Sequence, residues 1–311
     1  MRLAHLDGLR GLAIALVLLF HAYAGWTGQV PYGAAYADIG VFKFGWLGVE
    51  LFFLISGFVI FMTLDKTASF GVFLYKRWVR LFPAMLLASA LIVATAPWLV
   101  ERPNGAPTLL GLLPGLSFIE PRWWGFALHT KVVPLEGAFW SLYVEFKFYL
   151  IAGAVYYLAG RRSLVPVLGG MFALSALLWL ASAWWQAPAL ALAYKGCTSL
   201  SFNHFGWFAC GAAFYRHEQA RHAGDPARRW WIAAVALALA SALFVRDFAF
   251  DAALGAGLIG LAASPLAAPL RQAVRVRVER FRRRSPDPVA PFLEAPCYVR
   301  PAQAPGPERD S

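Results

Sequence analysis

The chain has 311 residues, 59% of them hydrophobic and 14% charged, with a net charge of +11. Soluble domains carry about 25% charged residues, so this composition excludes an ordinary soluble globule and points to a chain with many membrane spans. The positive charge does not argue for nucleic acid, because the cations sit in short loops between apolar runs, where they set orientation.

The chain opens MRLAHLDGLRGLAIALVLLFHAYAGW, with Arg10 and His21 at the two ends of ten apolar residues. It has no small-residue cleavage site, and further apolar runs follow, so it reads as a first span and not as a signal peptide. Runs of about 20 apolar residues then predict eight spans: 9–27, 45–64, 80–100, 140–160, 164–185, 198–216, 230–246 and 250–270. The short apolar segment 109–119 is broken by Pro114 and Gly115, and is expected to be interfacial or re-entrant. The predicted fold class is therefore an all-α polytopic helix bundle.

Loop charge orients it. With the N-terminus in the cytoplasm, the inner segments hold Arg2, Arg10, Lys66, Lys76, Arg77, Arg80, Arg161, Arg162, Arg216, Arg221, Arg228 and Arg229. The outer ones hold only Lys43, Arg102, Arg122, Lys131, Lys195 and Arg246, the bias expected of a cytoplasmic N-terminus. In the long outer loop 101–139, Trp123 and Trp124 read as interface anchors or a sugar-stacking surface. Beyond residue 270 the sequence turns rich in Arg and Pro. Two regions are predicted: a membrane domain over 1–270, and a basic, disordered cytosolic tail over 271–311 lying on anionic lipid. Cys197, Cys210 and Cys297 show no metal or redox spacing and read as small packing residues.

Ionisable groups inside a span are costly and mark function. His21, Glu50, Glu145 and the pair Asn203–His204 each fall within about 10 Å of the outer end of a predicted span. A second layer at the inner face comprises Arg10, Arg77 and Arg80, the last two on one helical face. Guanidinium suits phosphate. Arg10 and His21 are eleven residues apart, or about 16 Å along a helix. Coenzyme A fits that gap: its phosphates would rest on Arg10, Arg77 and Arg80 while the pantetheine arm carries a thioester toward His21. His21 would be the general base that takes the hydroxyl proton of an acceptor. Glu145, with Glu50 second, would orient the imidazole. No metal is expected.

The segments LDGLRGLAIALVLLFHA, GWLGVELFFLISGF, FLYKRWVRLFPA and FWSLYVEFKFYL follow one another in that order. Together they resemble the acyltransferase-3 family of bacterial integral-membrane O-acyltransferases, over residues 4 to about 216. The resemblance implies a multi-pass protein of the bacterial inner membrane. It implies transfer of an acetyl or other short acyl group from cytoplasmic acyl-coenzyme A to a hydroxyl of a cell-surface glycan or lipid-linked sugar. Arg10, His21, Arg77, Arg80, Glu145, Glu50 and Ser56 match family positions. Asp7 also matches and is set to orient Arg10. His204 matches none. Family members usually have about ten helices and a late S-Y-S-L-Y-L-x-H segment, which this sequence lacks. The Arg/Pro-rich tail begins where a ninth helix is due, as a truncated or frame-shifted C-terminus would. The competing reading is a transporter or flippase of a sugar or lipid precursor, which polar groups at mid-membrane also suit. Paired broken helices in two repeated halves would favour it, and none are seen in the sequence.

Overall fold

A computed structural model describes residues 4–28, 32–99, 102 and 104–244. The expected eighth span and the basic tail lie outside the described residues. Among these residues the architecture is all helical. The chain runs through α1 (Ala4–Tyr23), the short α2 (Gly33–Tyr36) and α3 (Gly40–Lys43), α4 (Leu47–Leu64), α5 (Phe70–Thr95), α6 (Leu109–Ser117) and α7 (Pro121–Leu128). It continues through α8 (Trp140–Ala159), α9 (Leu164–Trp185), α10 (Pro188–Ser199), α11 (Phe205–Ala223) and α12 (Arg228–Phe244). Five of the described helical segments, within α1, α4, α5, α8 and α9 and their edges, are long and apolar enough to cross a membrane. Their outward sides carry exposed Leu12, Leu18, Leu87, Leu91 and Leu177, as lipid-facing surfaces do.

Three predicted helices differ in position. α5 starts at Phe70, ten residues before the expected start of 80–100. Ser69 caps it by accepting from the Val72 amide, so Lys76, Arg77 and Arg80 lie within the helix and not in the loop before it. α11 starts at Phe205, seven residues after the expected 198. Ser201, at φ 63°, breaks the chain between α10 and α11. α1 ends at Tyr23, so His21 sits in its last turn.

α11 is the axis of the bundle. Phe205 through Tyr215 are all buried, and the helix packs on α4, α9 and α12. It gets there through small residues rather than bulk. A Cβ on Gly211 would collide with the Leu54 carbonyl of α4, and a Cβ on Gly57 with the Phe208 carbonyl of α11. Such backbone-to-backbone crossings are how membrane helices gain packing without a hydrophobic drive. Gly211→Ala should therefore cost about 2–3 kcal/mol and lower the thermal midpoint in detergent. Gly170→Ala, which meets nothing within 4 Å inside α9, should hold or raise it, because alanine is the better helix former.

At the end where α4 and α11 finish and α9 begins, Asp65 joins three helices. Arg161 Nε and Nη2 donate to its two oxygens at 2.8 Å each, and Tyr156, Tyr215 and Gln219 donate as well. Burial pushes the carboxyl up, but the bonds from Arg161, Tyr156, Tyr215 and Gln219 outweigh it and hold Asp65 below the usual carboxylate value. An acid held low contributes stability above the ordinary carboxylate range and loses it as pH falls through its depressed value. Asp65→Asn should melt lower than wild type at neutral pH, and the gap should close as the pH drops below the carboxylate range.

The segment after α5 forms α6 and α7, a pair of short helices. Phe118, in the left-handed region at φ 58°, turns one into the other with its ring buried. Glu120, the N-cap of α7, pairs with Lys147 of α8. Lys147 also donates to the Ser199 carbonyl at 3.0 Å and the Ser201 hydroxyl at 2.8 Å. Lys147 is thus a fastener between α8, α7 and the α10–α11 turn. Trp124 is held by Ser117 at 2.9 Å, while Trp123 remains exposed beside Arg122.

Candidate active site

A cavity of about 280 Å³ opens between α1, α4, α5 and α8. Arg10 of α1 and Arg77 and Arg80 of α5 line it, together with Ser56 of α4 and Glu145 and Tyr149 of α8. The three arginines singled out in the sequence thus meet in one space, from helices far apart in the chain. Each is held differently. Arg10 takes an ion pair from Asp7 at 3.2 Å, one turn earlier on the same helix. Arg77 is buried, donates from Nη2 to Thr63 Oγ1 at 2.8 Å, and lies 5.7 Å from the Phe73 ring centre. Its Nε is buried without a partner. Arg80 is exposed. A buried guanidinium with an unanswered donor is costly, and its natural complement is an anion entering the cavity.

Glu145 faces these arginines. Ser56 Oγ donates to its Oε1 at 2.7 Å, and the Tyr149 hydroxyl donates to the same oxygen. Tyr149 is four residues on from Glu145, so both lie on one face of α8. The expectation that Glu145 shares a depth with Glu50 does not hold in this geometry. Ser56, its partner, lies six residues beyond Glu50, or about 9 Å further along α4. The reason is the register of α8. Its first residue, Trp140, packs on Phe53 at 6.1 Å, so α8 begins one and a half turns below the start of α4.

His21, Glu50 and His204 each lie at a helix end, in the last turn of α1, the first turn of α4 and the turn before α11, and of these Glu50 and His204 are in contact. α1 packs closely on α4 there: a Cβ on Gly48 would meet the Ala13 carbonyl and Val17. His21 Nδ1 bonds the Val17 carbonyl at 2.8 Å, and its ring lies 5.9 Å from Trp26. A carbonyl can only accept, so this bond puts the proton on Nδ1 and leaves Nε2 as the basic nitrogen. The orienting contact is therefore with a backbone carbonyl, not with Glu145. Glu50 is buried, with Oε1 3.8 Å from His204 Nδ1 and Oε2 unpartnered. The His204 ring sits 5.4 Å from both Trp140 and Phe53.

Tyr149, Thr63 and the Glu50–His204 contact were not anticipated as parts of the site. Only Tyr149 carried a signal, its spacing of four from Glu145. Among the described residues no group of three His, Cys, Asp or Glu side chains is arranged to hold a metal.

An all-α, multi-pass membrane bundle with an arginine-lined cavity opening on a half-buried carboxylate is the class of protein these helices define. The chain belongs to the acyltransferase-domain family, whose model matches residues 3–271. It is 33% identical over 153 residues to a protein of Komagataeibacter xylinus provisionally named membrane-bound transacylase BcsY, covering 47% of this chain and 35% of that one. It is 26% identical over 228 residues to the peptidoglycan O-acetyltransferase OatA of Listeria monocytogenes, covering 67% of this chain and 33% of the relative. A provisionally named O-acetyltransferase of Staphylococcus aureus is 28% identical over 158 residues, covering 47% of this chain and 23% of the relative. The chain thus spans about a third or less of these relatives' lengths. No solved structure matches it.

Proposed function

We propose that this protein is a membrane O-acyltransferase that moves a short acyl group, acetyl foremost, from acyl-coenzyme A to a hydroxyl of a cell-surface glycan or lipid-linked sugar. The observation that carries the reading is the convergence of Arg10, Arg77 and Arg80 on one cavity, with the buried Arg77 Nε unanswered. Phosphate groups of the donor supply the missing acceptors. With the N-terminus in the cytoplasm, this cavity is entered by the donor from the inner side of a bacterial cytoplasmic membrane.

His21 Nε2 is the base that takes the proton from the acceptor hydroxyl as its oxygen attacks the thioester carbonyl. The carbon–oxygen bond forms, the carbon–sulfur bond breaks, and coenzyme A leaves as the thiol, its sulfur taking the proton that His21 removed from the hydroxyl. Glu145, fixed by Ser56 and Tyr149, stands beside the arginines, where it positions the donor; Val17 orients His21. Glu50, at the level of His204, is the carboxylate nearest the acceptor's approach. The similarity to proteins named transacylase and O-acetyltransferase supports acyl transfer over transport.

The experiment is an acceptor screen with the purified protein and acetyl-coenzyme A. Ester formation on a glycan hydroxyl, with thiol release that depends on the acceptor, is the expected result. Thiol release at the same rate with and without every acceptor would remove the reading.

A further inference from the structure

A second basic cavity, of about 1380 Å³, opens between the α8–α9 turn, the end of α11 and the start of α12. Arg161, Arg162, Arg216, Arg229, His222 and Trp230 line it, and it shares no residue with the cavity that holds Arg10 and Arg77. Loop cations that merely set topology need not converge, and here they do. Arg161 is already satisfied by Asp65 and Gln219. The other three are not: among the described residues no carboxylate lies within ion-pair distance of Arg162, Arg216 or Arg229. Among the described residues Asp225 is the only acid in the lining.

Two of these guanidiniums are also held in place. Arg216 lies 4.8 Å and Arg229 5.2 Å from the centre of the Trp230 ring. Stacking on an indole occupies the face of a guanidinium and leaves its N–H edge free for oxygen acceptors. Arg216 Nε is buried without a partner. Fixed, like-charged and short of acceptors, the cluster is complementary to an oxyanion with several acceptor oxygens. The cavity is larger than inorganic phosphate needs, and Trp230, Pro226 and Ala233 add apolar wall for an attached organic body.

We infer that this cavity is a second anion site, which binds a phosphate ester between Arg162, Arg216 and Arg229 at the end of the bundle where α12 begins. The inference is independent of the acyl-transfer reading, since it uses none of the same residues. The phosphate is that of an anionic phospholipid headgroup or of a soluble phosphate ester. The test uses the whole purified protein with two probes. Native mass spectrometry counts phosphatidylglycerol retained from mixed phosphatidylglycerol–phosphatidylcholine micelles, and glycerol 1-phosphate is titrated against the lipid-free protein. Wild type should bind at least one probe, and Arg216→Gln combined with Arg229→Gln should bind it about 10-fold or more weakly. Arg221→Gln combined with Arg228→Gln removes the same charge at the same end, outside the cavity lining, and should bind as wild type does. The double lysine variant at 216 and 229 should retain part of the binding if the glutamine pair fails to fold. Retention of phosphatidylglycerol alone assigns the site to lipid, and binding of glycerol 1-phosphate assigns it to a soluble ester. Binding of neither probe by wild type, or equal weakening by the two double variants, would overturn the inference.

Discussion

His21→Ala should lower the rate of acyl transfer by about 10²- to 10⁴-fold, the range that a positioned general base contributes. Binding of coenzyme A should barely change, because His21 is at the opposite end of α1 from Arg10. The bond from Nδ1 to the Val17 carbonyl at 2.8 Å leaves Nε2 to accept a proton, as the proposed role requires. His21→Gln keeps an amide donor for that carbonyl but supplies no base, so it should be as inactive as His21→Ala while folding better. A His21→Ala protein that melts like wild type and transfers acyl groups at the wild-type rate would end the assignment of the base.

Arg77→Met should separate donor binding from chemistry. Methionine fills much of the same buried space and removes the charge. The affinity for coenzyme A should fall about 10- to 100-fold, as expected when a charge-assisted bond to phosphate is lost. The turnover rate at saturating donor should change far less than it does in His21→Ala. Arg77→Lys restores charge without the fork, and cannot both reach Thr63 and answer a phosphate, so it should recover only part of the loss. Titration of coenzyme A into the purified variants, beside a thermal melt of each, reads the effect. Equal affinity in Arg77→Met and wild type would mean that the cavity does not hold the donor's phosphates.

Much of this was legible in the sequence, and the failures have physical causes. Hydropathy and loop charge located α4, α8 and α9 to within two residues at each end, because each is a largely apolar run between polar turns. α5 was placed too late because its first turns carry Lys76, Arg77 and Arg80, and charge within a helix reads as loop. α11 was misplaced for the opposite reason. Its close packing comes through Gly206, which admits Ser241 of α12 and Phe172 of α9, and Gly211, which admits the α4 backbone, and the value of such positions lies in close approach rather than in hydropathy.

The site was legible where one helix or one charge sign carried it. Arg10, Arg77 and Arg80 were grouped by chemistry, and they share a cavity. The pairing of Asp7 with Arg10 followed from a spacing of three and is present. The bond from Ser56 to Glu145 joins residues 89 apart in sequence, and no local pattern announces it. Nor could the depth of Glu145 be read. Equal depth assumed that every helix starts at the membrane surface, whereas α8 starts level with Phe53. The role of Lys147 was not legible, because its partners Glu120 and Ser201 come from two separate turns.

The central claim is that this bundle transfers an acyl group and does not carry a solute. It is tested most directly in sealed proteoliposomes, with radiolabelled acetyl-coenzyme A on one side and a hydroxyl-bearing glycan acceptor present. The account predicts one coenzyme A thiol released for each labelled ester formed on the acceptor, in wild type and not in His21→Ala. Movement of the glycan across the bilayer with no thiol released and no label on it would contradict the account.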